Sequence, residues 1–306
     1  MLSNYSKSFI ILFLTLLIFE VIVVYFGVNR PYWGDEIHFV ETINLFGNDM
    51  SISSIKHYNE MSTPLPFILY SVWGRIFNFN IQTLRIFSVI IAFVTYLSFH
   101  NLIFSIFRNS CIAIFSTLFI AMHPYMIGLS IFVFTDMLVI LSIVIGCLSI
   151  RNKKPIVLLI SLVCGLLCRQ YFIFFTLAVL IYYCVKLYKV NSQNMNTILM
   201  LVSALISIIP FLSLVVIWGG ISPENELRTV YLGEYYRYHL SYLNLYVCQL
   251  FIYIFPILLI TWRLFYTDMR MMFICFVTSL FYWFFPIRAS QFTELNTVGL
   301  FHRFLH

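Results

Sequence analysis

The chain has 306 residues, of which 61% are hydrophobic and 10% are charged, with a net charge of +6 and a mean hydropathy of +0.94. A soluble domain of this size carries roughly 25% charged residues, so the composition excludes an ordinary soluble protein. The apolar runs are long and lack alternation, which also excludes a transmembrane β-barrel. The sequence therefore predicts an all-α, multi-pass membrane protein.

Nine apolar segments predict about nine helices in a single transmembrane domain over residues 1–306. In chain order they are 9–28, 84–107, 111–129, 131–150, 156–168, 171–187, 197–218, 241–262 and 271–287. The first has no small-residue cleavage site after it, which predicts a retained helix and no removed signal peptide. The fifth and sixth are too short to cross as straight helices. They predict either a hairpin that enters the membrane partway or two tilted helices joined at Arg169-Gln170.

Loop charge predicts the orientation of these helices. With the N-terminus in the cytoplasm, the short inner loops hold one acid, Asp268, against a set of basic residues that lie close to helix ends, namely Lys7, Arg108, Arg151, Lys153, Lys154, Lys186, Lys189, Arg263 and Arg270. Short basic loops favour the cytoplasmic side. The net charge of +6 thus indicates topology and predicts no nucleic-acid partner.

Two larger segments, 29–83 and 219–240, then lie outside. The first carries five of the 12 acids of the chain, clustered between residues 35 and 60. Within it, residues 35–46 have an amphipathic pattern, and the apolar stretch after Pro66 has the length of a helix that lies along the membrane. Clustered acids in a chain with so few predict a site at the membrane surface.

Asp35 and Glu36 follow the first apolar span directly. A carboxylate near a low-dielectric boundary accepts a proton readily and can serve as a general base. Acids at this position also favour the start of a helix, because they interact with its dipole. The two interpretations are compatible, and the spacing does not choose between them. A divalent cation held by both acids is a further alternative.

Arg169 and Gln170 interrupt two short apolar stretches, and a charge at membrane depth needs a partner. A bound phosphate is one such partner. A structural ion pair with Asp136, which the topology puts in the same outer layer, is the other. Thr135 and Asp136 are also compatible with a simple helix cap.

The order of several motifs resembles the dolichyl-phosphate-glucose-dependent α-1,2-glucosyltransferases. The matching residues are Pro31-Tyr32-Trp33-Gly34-Asp35-Glu36-Ile37, Met61-Ser62-Thr63-Pro64-Leu65-Pro66, Phe134-Thr135-Asp136, Cys168-Arg169-Gln170, Gly219-Gly220-Ile221, His239 to Tyr246 and Phe255-Pro256. In this chain Gly34 is an extra residue and the second proline of the Thr-Thr-Pro-Pro segment is displaced to Pro66. A short prokaryotic relative with another acceptor therefore also fits the resemblance.

The resemblance implies a GT-C fold and an inverting transfer of a hexose, with glucose favoured, from a polyprenyl- or dolichyl-phosphate sugar. The implied acceptor is a lipid-linked glycan or another hydroxyl at the outer or lumenal face, and no cofactor is implied. It further implies catalysis by Asp35 and Glu36 and donor binding by Arg169, Gln170 and Asp136. The expected acceptor contacts are Thr63, Glu224, Tyr235 and His239. The membrane would be the plasma membrane in a prokaryote and the endoplasmic reticulum in a eukaryote.

Two other classes stay open on the sequence. A transporter or lipid flippase would place ionisable residues within its spans, whereas here the predicted topology puts ten acids at the outer face and only Glu20 deep within a span. An inactive structural subunit of a glycan assembly complex is the third class.

Overall fold

The computed structural model describes residues 2–190 and 195–224, which belong to one compact unit, Met1–Val230. Regular structure in these two ranges is entirely helical. The α-helices are α1 (Leu2–Gly27), α2 (Glu36–Asn48), α3 (Ile52–His57), α4 (Leu65–Phe77), α5 (Ile81–Phe107), α6 (Ser110–Ala121), α7 (Pro124–Ile131), α8 (Asp136–Asn152), α9 (Pro155–Cys168), α10 (Ile173–Val190), α11 (Met195–Ile206) and α12 (Ile209–Trp218). A 3₁₀ turn, Gln170–Phe172, precedes α10.

Within the described residues, four helical stretches are long and apolar enough to cross a membrane, and they mark the chain as an integral membrane protein. They are Phe9–Gly27, Ile81–Phe107, Gln170–Tyr188 and Met195–Trp218. The pair α6 and α7 makes a fifth if it is one span, although it bends by 71°. The predicted helices 241–262 and 271–287 lie outside the described residues. The number of spans and the single domain over residues 1–306 therefore stay predictions.

Three of the differences between the predicted and the observed helices are explained by local contacts or sequence. The sixth was expected to be too short, but the 3₁₀ turn at Gln170 continues into α10 and gives an apolar stretch of 19 residues. The third breaks before Pro124, whose ring removes a backbone donor and favours the first position of a new helix. The fourth begins at Asp136 and not at residue 131, because the backbone N–H of Val133 bonds to the Glu36 side chain instead of to a helix carbonyl.

Local sequence explains how the chain turns between consecutive helices on the predicted inner side. The Asn109 side chain accepts hydrogen bonds from the backbone N–H groups of Cys111 and Ile112, which caps α6. Lys153 takes a left-handed conformation, with φ of 54°, at the end of α8. Pro155 then opens α9, where its missing N–H costs no hydrogen bond.

Helix α5 is the centre of the described structure, since it packs against α1, α4, α6, α7 and α8. Helix α9 similarly contacts α4, α8, α11 and α12. The segment 29–83 forms α2 and α4, where two helices were predicted, and also the short α3, which was not predicted. The amphipathic pattern of α2 buries Phe39, Ile43 and Phe46 against the apolar core.

A fully buried ion pair joins the outer segment to the membrane helices. Arg85 in α5 and Glu36 in α2 are both 0% exposed. The guanidinium binds the carboxylate through two atoms, with Nε–Oε1 at 3.0 Å and Nη2–Oε2 at 2.6 Å. Such two-point pairing fixes the geometry as well as the charge.

The remaining hydrogen bonds of these two side chains hold the chain after α1 and the chain before α8 in place. Arg85 donates to the carbonyls of Val28 at 3.1 Å and Pro31 at 3.0 Å, just beyond the end of α1. Glu36 accepts from the backbone N–H of Val133 at 2.9 Å and of Trp33 at 3.2 Å. Both buried charges are thus paired and hydrogen-bonded, which is the condition under which such charges are tolerated.

Replacing Glu36 by Ala should lower the free energy of unfolding by about 3–5 kcal/mol, because Arg85 would stay buried without its counter-charge. Reversible unfolding in mixed micelles measures this. Glu41→Ala is the matched control, because the Glu41 side chain lies further along α2 and is exposed. This variant should change the free energy of unfolding little. Equal loss in both variants would contradict a structural role for the buried pair.

Candidate active site

The adjacent acids Asp35 and Glu36 lie in opposite environments. Gly34 takes a left-handed conformation, with φ of +56°, and turns the chain into α2. Glu36 then points inward to Arg85, whereas Asp35 is exposed. Asp35 is the N-cap residue of α2, but its side chain makes no capping hydrogen bond. The Asp35 carboxylate is therefore available to a substrate and the Glu36 carboxylate is not.

Arg169 lies between α9 and the 3₁₀ turn, and it forms an ion pair with Asp136, one of the two partners that the sequence left open. The Nη2–Oδ2 distance is 3.1 Å, and the two side chains are 22% and 23% exposed. The other carboxylate oxygen of Asp136 accepts a hydrogen bond from the Tyr171 hydroxyl at 2.8 Å. Asp136 thus orients the guanidinium from one side.

Gln170 is occupied by backbone contacts. Its side-chain amide donates to the carbonyl of Met61, and it lies 3.4 Å from the carbonyl of Ile221. This residue joins the segment before α4 to the segment after α12. The amide consequently positions the Met61–Thr63 segment next to Arg169.

Four buried polar atoms near this point have no hydrogen-bond partner within the described residues. They are the hydroxyls of Ser62, Thr63 and Thr135 and the Nε of Arg169. Ser62 and Thr63 follow the Met61 carbonyl bound by Gln170, and Thr135 precedes the aspartate bound by Arg169. Unpaired buried donors cost free energy and suggest an absent partner. Hydroxyl and guanidinium donors suit the oxygens of an anionic group.

Glu60 is a residue that sequence reasoning missed. Its half-buried carboxyl has a pKa of about 8, raised chiefly by burial and further by the charges of Asp35 and Glu41, while the Arg169 guanidinium opposes the rise. The charges of Asp35 and Arg169 thus both influence the pKa of this carboxyl. Glu60 belongs to the acid cluster between residues 35 and 60, but no motif distinguishes it from the other acids there.

An open cleft lies along the outer side of α2 next to this centre. It is lined by His38, Glu41, Thr42, Leu45 and Asn59, and its empty volume is about 340 Å³, part of it open solvent. The imidazole Nδ1 of His38 lies 3.7 Å from a Glu41 carboxylate oxygen. Most lining side chains carry donors or acceptors, so the cleft suits a hydroxyl-rich ligand.

The other predicted acceptor residues are not brought to this centre by the described structure. The backbone N–H of Glu224 bonds to the Lys56 carbonyl at 3.3 Å, and its side chain is exposed. Tyr235 and His239 lie outside the described residues.

A divalent cation shared by Asp35 and Glu36 does not fit, because Arg85 occupies both Glu36 oxygens. In the described ranges, no group of three or more His, Cys, Asp or Glu side chains has the arrangement of a metal site.

Comparison with known proteins shows a likeness at the level of the fold. No protein-family model matches the chain, and no curated protein matches its sequence. The solved structure of the S. cerevisiae protein O-mannosyltransferase Pmt1-Pmt2 complex bound to the sugar donor is similar to it, with a TM-score of 0.55 and 14% sequence identity.

The similarity covers 69% of this chain and 33% of that chain, so the protein spans about a third of its neighbour's length. At this identity the likeness shows the fold alone. The predicted all-helical membrane fold is confirmed for the described residues, and it is similar to that of the protein O-mannosyltransferase. The narrower resemblance to the α-1,2-glucosyltransferases stays a prediction.

Substitution of two buried serines tests whether the unpaired hydroxyls lack a hydrogen-bond partner. Ser62 is unpaired within the described residues, whereas the Ser88 hydroxyl lies 2.7 Å from that of Tyr70. Ser88→Ala should cost about 1–3 kcal/mol, because the buried Tyr70 hydroxyl loses its partner. Ser62→Ala should leave the free energy of unfolding unchanged or raise it. Equal destabilisation of the ligand-free protein would mean that Ser62 has a partner.

Proposed function

We propose that this protein is a membrane glycosyltransferase that moves a hexose from a polyprenyl- or dolichyl-phosphate sugar to an acceptor hydroxyl at the outer or lumenal face. One observation carries the proposal: the Arg169 guanidinium is held by Asp136, and its buried Nε has no hydrogen-bond partner within the described residues. A buried cation with an unused donor suits the phosphate of a sugar donor. The similarity in fold to the protein O-mannosyltransferase supports the same class of chemistry.

Asp35 is the general base in this proposal. The acceptor oxygen forms a bond to the anomeric carbon while the bond from that carbon to the phosphate oxygen breaks, and the electron pair leaves with the phosphate. The acceptor proton passes to the Asp35 carboxylate. The transition state has oxocarbenium character, and a single displacement inverts the anomer. Asp35 suits this role because neither a cap nor an ion pair occupies its carboxylate.

Arg169 binds the phosphate that departs. Its Nη2 is held by Asp136, and its buried Nε has no partner within the described residues. A donor already directed at the position where charge develops needs no reorganisation during the reaction. The unpaired hydroxyls of Thr63 and Thr135 extend the same set of donors, and Gln170 contributes by holding the Met61–Thr63 segment.

We assign Glu36 to structure and not to chemistry, because the Arg85 guanidinium and two backbone N–H groups surround its carboxylate. For the acceptor we propose the cleft along α2, which starts one turn after Asp35 and offers polar side chains to sugar hydroxyls. Glucose as the hexose, a lipid-linked glycan as the acceptor, and acceptor contacts from Glu224, Tyr235 and His239 follow from the family resemblance.

Replacing Asp35 by Asn should reduce sugar transfer by about 10²–10⁴-fold, which is the usual contribution of a general base. The assay follows a labelled polyprenyl-phosphate hexose in membranes and measures label in lipid-linked glycans. Asp49→Asn is the control, since this acid bonds to Ser51 and Ser54 at the far end of α2. Retention of more than about a tenth of the activity by Asp35→Asn would rule out base catalysis by this residue.

Replacing Arg169 by Lys preserves a positive charge beside Asp136 but removes the planar guanidinium with its Nε donor. We expect donor affinity to fall by about tenfold or more, because a hydrogen bond to a charged group contributes about 1.5–3 kcal/mol. Competition by unlabelled donor measures the change. Arg75→Lys, in which the lost Nε bonds to the Gly47 carbonyl, is the matched control and should bind donor normally. Unchanged affinity in Arg169→Lys would remove this residue from the donor site.

A transporter or flippase is the second candidate, and Glu20 is the observation that favours it. This acid lies within a membrane-spanning helix, is 3% exposed, and has no hydrogen-bond partner within the described residues. Intramembrane acids often mark a transport path. Proteoliposome uptake or lipid-scrambling assays with Glu20→Gln separate the two: transport that depends on Glu20, without sugar transfer, would replace the enzymatic proposal.

A further inference from the structure

Tyr171 lies in the 3₁₀ turn after α9, and the residues on both sides of it are fixed. The side-chain amide of Gln170 donates to the carbonyl of Met61. Phe172 is 2% exposed, and its ring lies so close to Gly165 in α9 that a Cβ at Gly165 would collide with it. The backbone of Tyr171 therefore has a set position, from which its hydroxyl reaches the start of α8.

The carboxylate of Asp136 at the start of α8 is divided between two donors. Its Oδ1 accepts a hydrogen bond from the Tyr171 hydroxyl at 2.8 Å, and its Oδ2 accepts one from the Arg169 Nη2 at 3.1 Å. A phenol has one proton, so a hydroxyl that donates to Asp136 cannot also donate to a substrate. The buried Nε of Arg169 has no hydrogen-bond partner within the described residues.

A single carboxylate can bind the Nε and Nη2 of an arginine at once, because both donors lie on one edge of the planar guanidinium. Arg85 and Glu36 form this arrangement in the same protein, with Nε–Oε1 at 3.0 Å and Nη2–Oε2 at 2.6 Å. The equivalent pairing of Arg169 would require the Oδ1 of Asp136, and the Tyr171 hydroxyl is bound to that oxygen.

We propose that Tyr171 is a positioning residue: its hydroxyl limits Asp136 to one contact with Arg169, so that Nε stays available to the phosphate of the sugar donor. The inference rests on the proposed function, because it takes Nε to bind that phosphate. Tyr171 acts through Asp136 and does not touch the substrate. Without its hydroxyl, Oδ1 is released to accept the Nε hydrogen bond, and the carboxylate then competes with the phosphate for the same donor.

The variant Tyr171→Phe removes the hydroxyl and keeps the ring. Binding of citronellyl-phosphoryl-glucose, a short-chain phosphodiester, is measured with the full chain in detergent. The dissociation constant should rise about tenfold, which corresponds to the loss of one hydrogen bond to a charged group. Tyr70→Phe is the matched control, because it also loses a hydroxyl contact, the one to Ser88 at 2.7 Å, but between α4 and α5. This control should bind the diester like the unaltered protein.

The same comparison in an Asp136→Asn background shows whether Tyr171 acts through Asp136. A neutral amide with a single oxygen does not draw Nε away from a phosphate, so Tyr171→Phe should there change the dissociation constant less than about twofold. An equal loss of affinity in both backgrounds would mean that Tyr171 acts without Asp136, and it overturns the inference. Equal binding by Tyr171→Phe and the unaltered protein overturns it as well.

A readout without ligand uses nuclear magnetic resonance of protein with isotope-labelled arginine. The Nε–H signal of Arg169, identified by its absence from Arg169→Lys, should move downfield in Tyr171→Phe, because a hydrogen bond to a carboxylate deshields the proton. It should stay in place in Tyr70→Phe. An unchanged signal in Tyr171→Phe overturns the inference whatever the ligand. Failure of the unaltered protein to bind the diester, with the signal shifted as expected, overturns the proposed function instead.

Discussion

The geometry of the proposed site depends on the buried pair of Arg85 and Glu36. The guanidinium lies at the start of α5, the helix that contacts five others, and it also binds carbonyls that follow α1. The carboxylate lies at the start of α2 and holds the backbone N–H of Val133 ahead of α8. One ion pair therefore sets the relative positions of α1, α2, α5 and the turn before α8. Its desolvation cost is offset only because nearly every donor and acceptor in it is satisfied.

This arrangement also explains why two neighbouring acids have different roles. Successive residues at a helix start point in different directions, so when Glu36 faces the core, Asp35 faces outward. A short side chain on a fixed backbone then presents its carboxylate with little freedom. On the far side of the centre, Asp136 and Gln170 restrict Arg169 in the same way. Both groups proposed to act on substrate are thus oriented by neighbours that do not touch it, which is how enzymes obtain preorganised sites.

The helices of the described region were largely predictable, because membrane spans reveal themselves by length and apolar composition. The predicted helices were wrong where one residue or one contact overrides that signal. Pro124 divides a predicted helix, and the Glu36 side chain, 97 residues away in sequence, accepts the hydrogen bond of the Val133 N–H. Asp35, Asp136 and Arg169 could be proposed for the site from the sequence because charges are rare in such a chain. Glu60 was not found, since its distinction is burial beside other charges, and that depends on contacts between α2, the Met61 segment and the turn after α9. No local pattern encodes such a set of contacts.

Helix α9 has 14 residues and ends at Cys168, immediately before Arg169. A helix of that length rises about 21 Å, well short of the roughly 30 Å of hydrocarbon in an average bilayer. If its other end stays at the cytosolic surface beside Lys154, Arg169 comes to rest several ångströms below the opposite headgroup plane. Lipids around this helix must then thin or tilt to meet it, at a modest cost per ångström of mismatch. A prenyl chain entering beside α9 would meet a locally shallow leaflet, so its headgroup would reach the guanidinium without leaving the membrane.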